Sequence, residues 1–159
     1  MDSSARALDA IDRKILRILQ EDGRITNVDL SRKVNLSPTP CLERVRRLER
    51  DGYILGYRAR LDPTKLEAGL LIFAQVTLDR TTPDVFERFK QDVMDVPQVL
   101  ECHMVAGGFD YLIKVRVADM AAYRLLLGDY LAKLPGILQT HTYVVMEEVK
   151  DQPGLPIGR

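Results

Sequence analysis

Apolar residues in the first 60 positions recur with helical spacing in three short stretches. The first stretch places its apolar residues at steps of three and four, on one face of a helix: Leu8, Ile11, Ile15, Ile18 and Leu19. Asp9 precedes most of this face as a predicted N-cap, and Gly23 ends the helix.

A second, shorter helix is predicted after Gly23. Thr26 and Asp29 resemble a capping box with Asp in place of Glu or Gln, and Leu30 and Val34 give the helix its buried side. Asn35 ends the helix, because Asn tolerates the left-handed backbone conformation.

The third stretch, SPTPCLERVRRLER, combines two prolines with a helical apolar pattern. Ser37 is the predicted N-cap, so Pro38 and Pro40 occupy the first and third helical positions, where the N–H group has no intrahelical acceptor. Gly52 ends this helix. Its apolar side is formed by Cys41 or Leu42 with Val45 and Leu48.

Three short helices, with a turn of about three residues between the second and third, are typical of a helix-turn-helix, whose third helix enters the DNA major groove by its N-terminal end. The following segment, YILGYRARLD, alternates apolar and polar residues and is divided by Gly56. This pattern predicts a two-stranded wing with Arg58 and Arg60 beside the DNA phosphates. The candidate DNA-binding residues are Ser37, Thr39, Pro40, Glu43, Arg44, Arg47 and Arg58.

The net charge of zero conceals an asymmetry between two parts of the chain. Residues 1–60 contain 13 Lys and Arg against 9 Asp and Glu, whereas residues 61–159 contain 10 against 14. A basic first part favours a polyanion as partner. Duplex DNA is favoured because no aromatic platform for single strands accompanies the basic residues. The alternative is a solvated helix face on which Glu43 pairs with Arg47.

The pattern after residue 62 changes to alternating strands and helices. Successive segments predict strand, helix, strand, strand, helix and strand: LLIFAQVTLD, PDVFERFKQDVMDV, VLECHMVAG, YLIKVRV, DMAAYRLLLGDYLAKL and THTYVVMEEV. Asp119 is the expected cap of the second helix, which should run to Pro135 and Gly136. The order βαββαβ predicts a ferredoxin-like antiparallel sheet with both helices on one face, so the fold class is α+β.

Two helices cover only one face of such a sheet. The first and last strands carry apolar residues on both faces, so a homodimer is expected to bury the second face. Two-fold symmetry would also let a helix-turn-helix protein reach two DNA half-sites.

The segment AGGFDYLIK, residues 106–114, is the most irregular stretch of the second part. Gly107 and Gly108 permit unusual backbone conformations, and Asp110 places a carboxylate beside them. A ligand with an ammonium group would suit this site. The alternative is a hairpin turn in which Asp110 makes turn hydrogen bonds.

Other features point to a soluble cytoplasmic protein without catalytic or metal-binding residues. No apolar run of about 18 residues is present, and the N-terminus lacks a signal-peptide pattern. Cys41 and Cys102 are expected to be reduced thiols. His103 and His141 leave a small ferredoxin-like dimeric enzyme as an alternative, but they lack metal-ligand spacing. A second alternative is an amino-acid sensor that does not bind DNA.

The chain resembles the Lrp/AsnC family of feast/famine regulators. The resemblance is carried by DGRITNVDLSRKVNLSPTPCLERVRRLERDGYI, LLIFAQVTLDR, GGFDYLIKVRVADM and TYVVMEEVK, which together span nearly the whole chain. It implies a winged-type helix-turn-helix joined to an αβ-sandwich of the RAM or ACT type. It also implies dimers that assemble into octamers or similar oligomers, and transcription control by an amino acid without any cofactor. Leucine is the expected effector, with proline and lysine as alternatives.

The resemblance also assigns functional positions. The recognition helix maps to residues 37–51, and the effector site to positions near a boundary between dimers: Met104, Gly107, Gly108, Asp110, Tyr111, Met120, Tyr143, Val144 and Val145.

The expected domain organisation has four segments. A DNA-binding domain occupies residues 1–60, a linker 61–70 and a ligand-binding and oligomerisation domain 71–150. The Pro- and Gly-rich residues 151–159 are expected to form a tail that only a neighbouring subunit would order.

Overall fold

The computed structural model describes residues 7–129, 131, 134, 136–152 and 154–158. The chain forms two compact units. One contains the residues up to Arg60 together with those from Lys150 onward, and the other contains Leu61–Val149.

The first unit contains three helices, as the sequence predicts: α1 (Ala10–Glu21), α2 (Asn27–Lys33) and α3 (Pro38–Arg50). Asp9 caps α1 through a complete capping box with Asp12, and the Thr26 hydroxyl caps α2 by accepting a bond from Asp29 N at 3.1 Å. Ser37 is the N-cap of α3 with Pro38 in the first turn, although its hydroxyl makes no capping bond.

The predicted ends of α2 and α3 are also confirmed. Asn35 has φ 57° and Gly52 has φ 77°, both in the left-handed region that ends helices. After Asn35, in the turn between α2 and α3, Leu36 N donates to Ser31 O at 2.9 Å. The three helices enclose a small apolar core: Ile15, Leu16, Leu30, Val34, Cys41 and Leu48.

The two strands predicted for the wing are absent from the described segment 51–62, which turns at residues 51–53 and then continues without strand pairing. Gly56 has φ 151°, and the neighbouring Leu55 is 96% exposed. A lone hairpin is marginal in water and needs an apolar face packed on something else, which this segment lacks. Tyr57 instead donates to the Glu49 carboxylate of α3 at 3.0 Å.

The end of the chain packs on the first unit, which differs from the expectation that only a neighbouring subunit would order it. The Gln20 side chain of α1 donates to Leu155 O at 3.1 Å and accepts from Leu155 N at 2.7 Å. Ile157 packs against the apolar core of the three helices, and Asp151 pairs with Arg60 at 3.0 Å.

The second unit has the predicted βαββαβ order. After a short 3-10 turn at Thr64–Leu66, which the pattern did not predict, come β1 (Leu70–Leu78), α4 (Pro83–Met94), β2 (Val99–Met104), β3 (Tyr111–Val117), α5 (Met120–Asp129) and β4 (Ile137–Val144). The Asp119 carboxylate accepts from Ala122 N at 2.8 Å, as expected of the cap of α5. Part of the predicted helix beyond Asp129 lies outside the described residues.

The four strands form an antiparallel sheet in the order β2-β3-β1-β4. Alternate residues of β1 and β3 pack against α4 and α5, and Phe89 and Tyr123 fill the space between the layers. The remaining strand residues form the other face of the sheet. In the described part of the chain, no helix is long and apolar enough to cross a membrane.

Candidate DNA-binding surface and effector-binding residues

The N-terminal end of α3 presents the first predicted DNA contacts. Ser37 and Thr39 are exposed, and Pro40 is half-buried. The Asn27 side chain of α2 donates to Pro38 O at 2.8 Å, which joins the first turns of the two helices. The prolines and Asn27 therefore fix the direction in which α3 begins.

Arg44 and Arg47 make ion pairs with the first turn of α1. Arg44 Nη1 lies 2.5 Å from Asp9 and 2.8 Å from Asp12, and Arg47 Nη2 lies 2.6 Å from Asp12. The Asp12 side chain is 1% exposed, whereas those of Arg44 and Arg47 are 28% and 18% exposed. These contacts replace the Glu43–Arg47 pair considered from the sequence, and Glu43 is exposed.

The two carboxyl groups are held ionised. The bond from Asp12 N and the Arg44 guanidinium lower the pKa of Asp9 to about 2. Burial alone would raise the pKa of Asp12, but bonds from Arg47 and Arg44 outweigh it and lower that pKa overall. Bonds to both carboxylates raise the pKa of Arg44 further above its already high value.

Four of the predicted DNA-binding residues line one surface concavity: Pro40, Glu43, Arg44 and Arg47. Ser37 and Thr39 stand on the same N-terminal half of α3, while Arg58 is exposed on the extended segment after it. Sequence reasoning missed Asp12 and Asn27. The spacing of Asp9 and Asp12 signalled a capping box, but no local pattern connects Asp12 to the arginines of α3 or Asn27 to the carbonyl of Pro38.

Five of the predicted effector-binding residues lie at one end of the sheet. Met104 pairs with Tyr111 in the register of β2 and β3, and the 106–110 bend joins them. At Gly107 and Gly108 a Cβ would meet no atom within 4 Å, and neither has a positive φ. The space above both glycines is therefore open, and neither glycine is required by the backbone.

Asp110 and Tyr111 have roles in the fold. The Asp110 carboxylate accepts from Leu78 N at 2.7 Å, which joins the bend to the end of β1 rather than forming the hairpin-turn bonds of the alternative. Tyr111 is 2% exposed, and its ring stacks on Phe89 with centroids 4.4 Å apart.

Three of the remaining predicted effector-binding residues lie toward the opposite end of the sheet. Tyr143 lies nearer the middle, opposite Phe73, and its hydroxyl donates to the Gln75 side chain at 3.3 Å. Val145 N donates to Leu71 O, whereas Tyr111 pairs with Val76, and five residues of strand separate these points by about 17 Å. Tyr143 and Val144 are about half-exposed, Val144 lies near the same end as Val145, and Met120 begins the helix that follows β3. One chain therefore does not bring the nine predicted residues into a single site.

The histidine and cysteine side chains form no reactive arrangement in the described part of the chain. His103 lies 3.2 Å from the exposed Glu101 carboxylate, and Lys114 donates to Glu101 at 2.9 Å. Cys41 and Cys102 are free thiols whose pKa values are raised by burial. No group of three His, Cys, Asp or Glu among the described residues is placed to hold a metal ion.

A helix-turn-helix with a fixed N-terminal recognition end, joined to a βαββαβ domain, defines a two-domain DNA-binding protein with a ligand-binding module. The profile described as winged helix-turn-helix DNA-binding matches residues 8–54, and the profile described as Lrp/AsnC ligand binding domain matches residues 71–155. The chain belongs to the Lrp/AsnC family.

Individual relatives agree with this assignment. The leucine-responsive regulatory proteins of Escherichia coli K12 and Klebsiella pneumoniae are each 61% identical over 150 residues, covering 94% of this chain and 92% of theirs. A transcriptional regulator of Neisseria meningitidis, solved in complex with L-Met, superposes with a TM-score of 0.90 at 39% identity, covering 94% of this chain and 97% of its own. An AsnC family regulator of Agrobacterium tumefaciens has the same TM-score and coverage at 38% identity.

Proposed function

We propose that this protein is a cytoplasmic transcriptional regulator of amino-acid metabolism that binds duplex DNA through α3 and answers to leucine. The main support is the immobilised N-terminal half of α3, where Ser37 and Thr39 are exposed beside the concavity at Arg44 and Arg47. The leucine-responsive regulatory proteins at 61% identity support the choice of effector.

The proposed DNA contacts are divided between two roles. Thr39 and Glu43 face outward at the end of α3 that enters the major groove in helix-turn-helix proteins, so they would meet base edges. Ser37 and Arg58 would contact phosphates, which set position rather than sequence preference. Changes at Thr39 should therefore alter which sequence is bound, whereas Arg58→Ala should weaken binding to all sequences about equally.

We propose that the effector site forms between copies of the chain. Tyr111 and Val145 lie about 17 Å apart along the sheet of one chain, a span too long for one amino acid to reach. Residues of one copy would complete the site begun by another. We propose a homodimer that assembles to an octamer or similar oligomer. Exposed apolar side chains on and just after β4 support an assembly larger than a monomer: Leu138, Tyr143, Val144, Met146 and Val149.

Asp110 is the proposed partner of the effector's ammonium group. One of its carboxylate oxygens, Oδ2, accepts from Leu78 N, and the open bend at Gly107 and Gly108 lies beside it. A neutral amide side chain at this position would keep the shape but lose the charge attraction. Asp110→Asn should therefore weaken leucine binding. It should not change the affinity for 4-methylpentanoate, the leucine analogue that lacks the ammonium group.

A gel-shift titration with genomic fragments tests the function. Salt-dependent shifts that leucine modulates are expected, with log K falling at a slope of about −5 against log salt if each dimer neutralises about six phosphates. Binding that ignores salt, or an absence of binding in dilute buffer, would reject DNA regulation and leave the sensor without DNA binding or the enzyme as alternatives.

Methionine is the second candidate effector, because the Neisseria meningitidis regulator was solved with L-Met. Calorimetry against leucine, methionine, proline and lysine, with mass measurement of each mixture, would rank them. The effector that controls the protein must also shift its assembly or its DNA affinity, because linkage requires different affinity for the two states.

A further inference from the structure

A partly buried charged cluster, centred on the buried Asp12, joins α3 to α1. It consists of Asp9, Asp12, Arg44 and Arg47, and its two carboxylates balance its two guanidinium groups. Asp12 is the central member, because it contacts both arginines and has almost no exposed surface. An apolar cluster of similar volume would stabilise a small helical unit at least as well, so stability alone does not explain the charges.

The geometry leaves both arginines able to bind further acceptors. The contacts with the carboxylates use Nη1 of Arg44 and Nη2 of Arg47, whereas a guanidinium carries five N–H donors in a rigid fork. Both side chains also line the concavity beside Pro40 and Glu43. The carboxylates therefore hold one side of each guanidinium while another part of the side chain borders the predicted DNA-binding surface.

We propose that Asp12, assisted by Asp9, is a positioning residue for DNA recognition, holding Arg44 and Arg47 in a fixed orientation and cancelling their charge. This proposal rests on the proposed function. Because the cluster is neutral, Arg44 and Arg47 would contribute geometric selectivity rather than general attraction to phosphates. General attraction would come from arginines outside the cluster, such as Arg46 and Arg50 of α3.

The substitution Asp12→Asn tests this positioning role. Loss of one carboxylate frees a positive charge and loosens two guanidinium groups. Affinity for unrelated DNA should rise and the salt slope should steepen by about 1, the contribution of one further phosphate contact. The ratio of specific to non-specific affinity should fall at least about tenfold, a loss in the range of one well-formed base contact.

A merely structural role for Asp12 gives a different result. A partly unfolded variant would lose affinity for both kinds of DNA in proportion to its unfolded fraction, and its ratio of specific to non-specific affinity would stay that of the wild type. The two roles are therefore separated by the affinity ratio rather than by affinity alone.

Asp29→Asn is the matched control. It removes one carboxylate from the same unit, where Asp29 pairs with Arg32 at 3.1 Å, but both side chains are more than half exposed and lie outside the cluster. It adds the same charge as Asp12→Asn and should change the salt slope to a similar extent. Only Asp12→Asn should lower the affinity ratio.

The experiment uses the full chain, a duplex selected by the wild-type protein from random sequence, and a scrambled duplex of equal length. Affinities are measured over a series of salt concentrations, with hydrogen exchange of α1 and α3 as the check of folding. An Asp12→Asn protein that keeps the wild-type affinity ratio would overturn the positioning role. A wild-type protein that binds neither duplex would instead reject the proposed function.

If Asp12→Asn does not fold, Asp9→Asn tests the positioning role instead. Asn is as good an N-cap as Asp, so α1 keeps its cap while Arg44 loses one of its two carboxylates. The affinity ratio should then fall about threefold, half of the tenfold loss on a logarithmic scale. An unchanged ratio in a folded Asp9→Asn protein would overturn the proposal.

Discussion

The two units of the chain are stabilised by different means. The three-helix unit has six buried apolar side chains in its core and is also stabilised by its charged cluster, its helix caps and the returning chain end. The sheet unit has a core of fifteen buried residues, and among its described ion pairs Arg116–Glu148 is partly buried. In the first unit, residues that stabilise the fold also border the proposed DNA-binding surface. In the second unit the candidate effector residues lie mostly at the ends of the sheet, away from the centre of the core.

Tyr111 is the exception in the second unit and provides the largest expected effect. Its ring stacks on Phe89 and lies edge-on to Phe86, so Tyr111→Ala should cost about 3–5 kcal/mol of unfolding free energy. Tyr111→Phe is the matched variant, because the buried hydroxyl has no hydrogen-bond partner among the described residues. Its unfolding free energy, measured by chemical denaturation, should equal that of the wild type. A changed leucine affinity in this variant would show that the hydroxyl contributes to effector binding.

Acid should destabilise the first unit more than the second. The folded pKa values of Asp9 and Asp12 lie below the ordinary 3.8, so their contribution to stability is complete above that pH and is lost as the pH falls toward about 2. Glu101 in the second unit also has a lowered pKa, from Lys114 and His103, but its side chain is 46% exposed and the effect is screened.

Hydrogen exchange measured at decreasing pH reports each unit separately. Amides of α1 and α3 should lose protection before those of β1 and β3. Asp12→Asn should flatten the pH dependence of the first unit without altering that of the second. Simultaneous loss of protection in both units would contradict an origin in the charged cluster.

Local features of the fold were predictable from sequence, while features that depend on distant partners were not. Asp9, Thr26 and Asn35 act on residues within four positions, so capping rules located the helix ends correctly. Arg47 and Asp12 are 35 positions apart, and only the fold shows that Arg44 and Arg47 contact this carboxylate. The two strands expected at the wing did not form, because alternation and Gly56 specify a strand pattern but not the surface on which a hairpin must pack.

The candidate effector site shows the same limit. The βαββαβ order fixes which strands are neighbours, so Met104 and Tyr111 could be expected together. Which end of the sheet receives Val145 depends on the register of β4, with Ile72 opposite Val144, and the sequence pattern does not specify that register. The separation of the two groups of residues therefore became visible only in the structure.

The returning chain end should contribute an intermediate amount to the first unit. Removing residues 151–159 deletes two hydrogen bonds with Gln20 and the contact of Ile157 with the core, so about 2–3 kcal/mol of stability should be lost from this unit alone. Gln20→Ala should reproduce about half of this loss. Exchange protection of α1 that is unchanged by the truncation would show that the contact contributes nothing in solution.

The smallest expected effects distinguish two helix caps within the first unit. The Thr26 hydroxyl caps α2, so Thr26→Ala should lower the unfolding free energy by about 1 kcal/mol. Ser37 makes no capping bond, so Ser37→Ala should cost clearly less stability. Ser37 is exposed at the end of α3 that we propose faces DNA, so the effects on affinity should be reversed. Ser37→Ala should weaken DNA binding, whereas folded Thr26→Ala should bind DNA with near wild-type affinity. Denaturation and gel-shift titrations of both variants would measure these opposite effects. A parallel loss of stability and DNA affinity in Ser37→Ala would mean that Ser37 acts only through the fold.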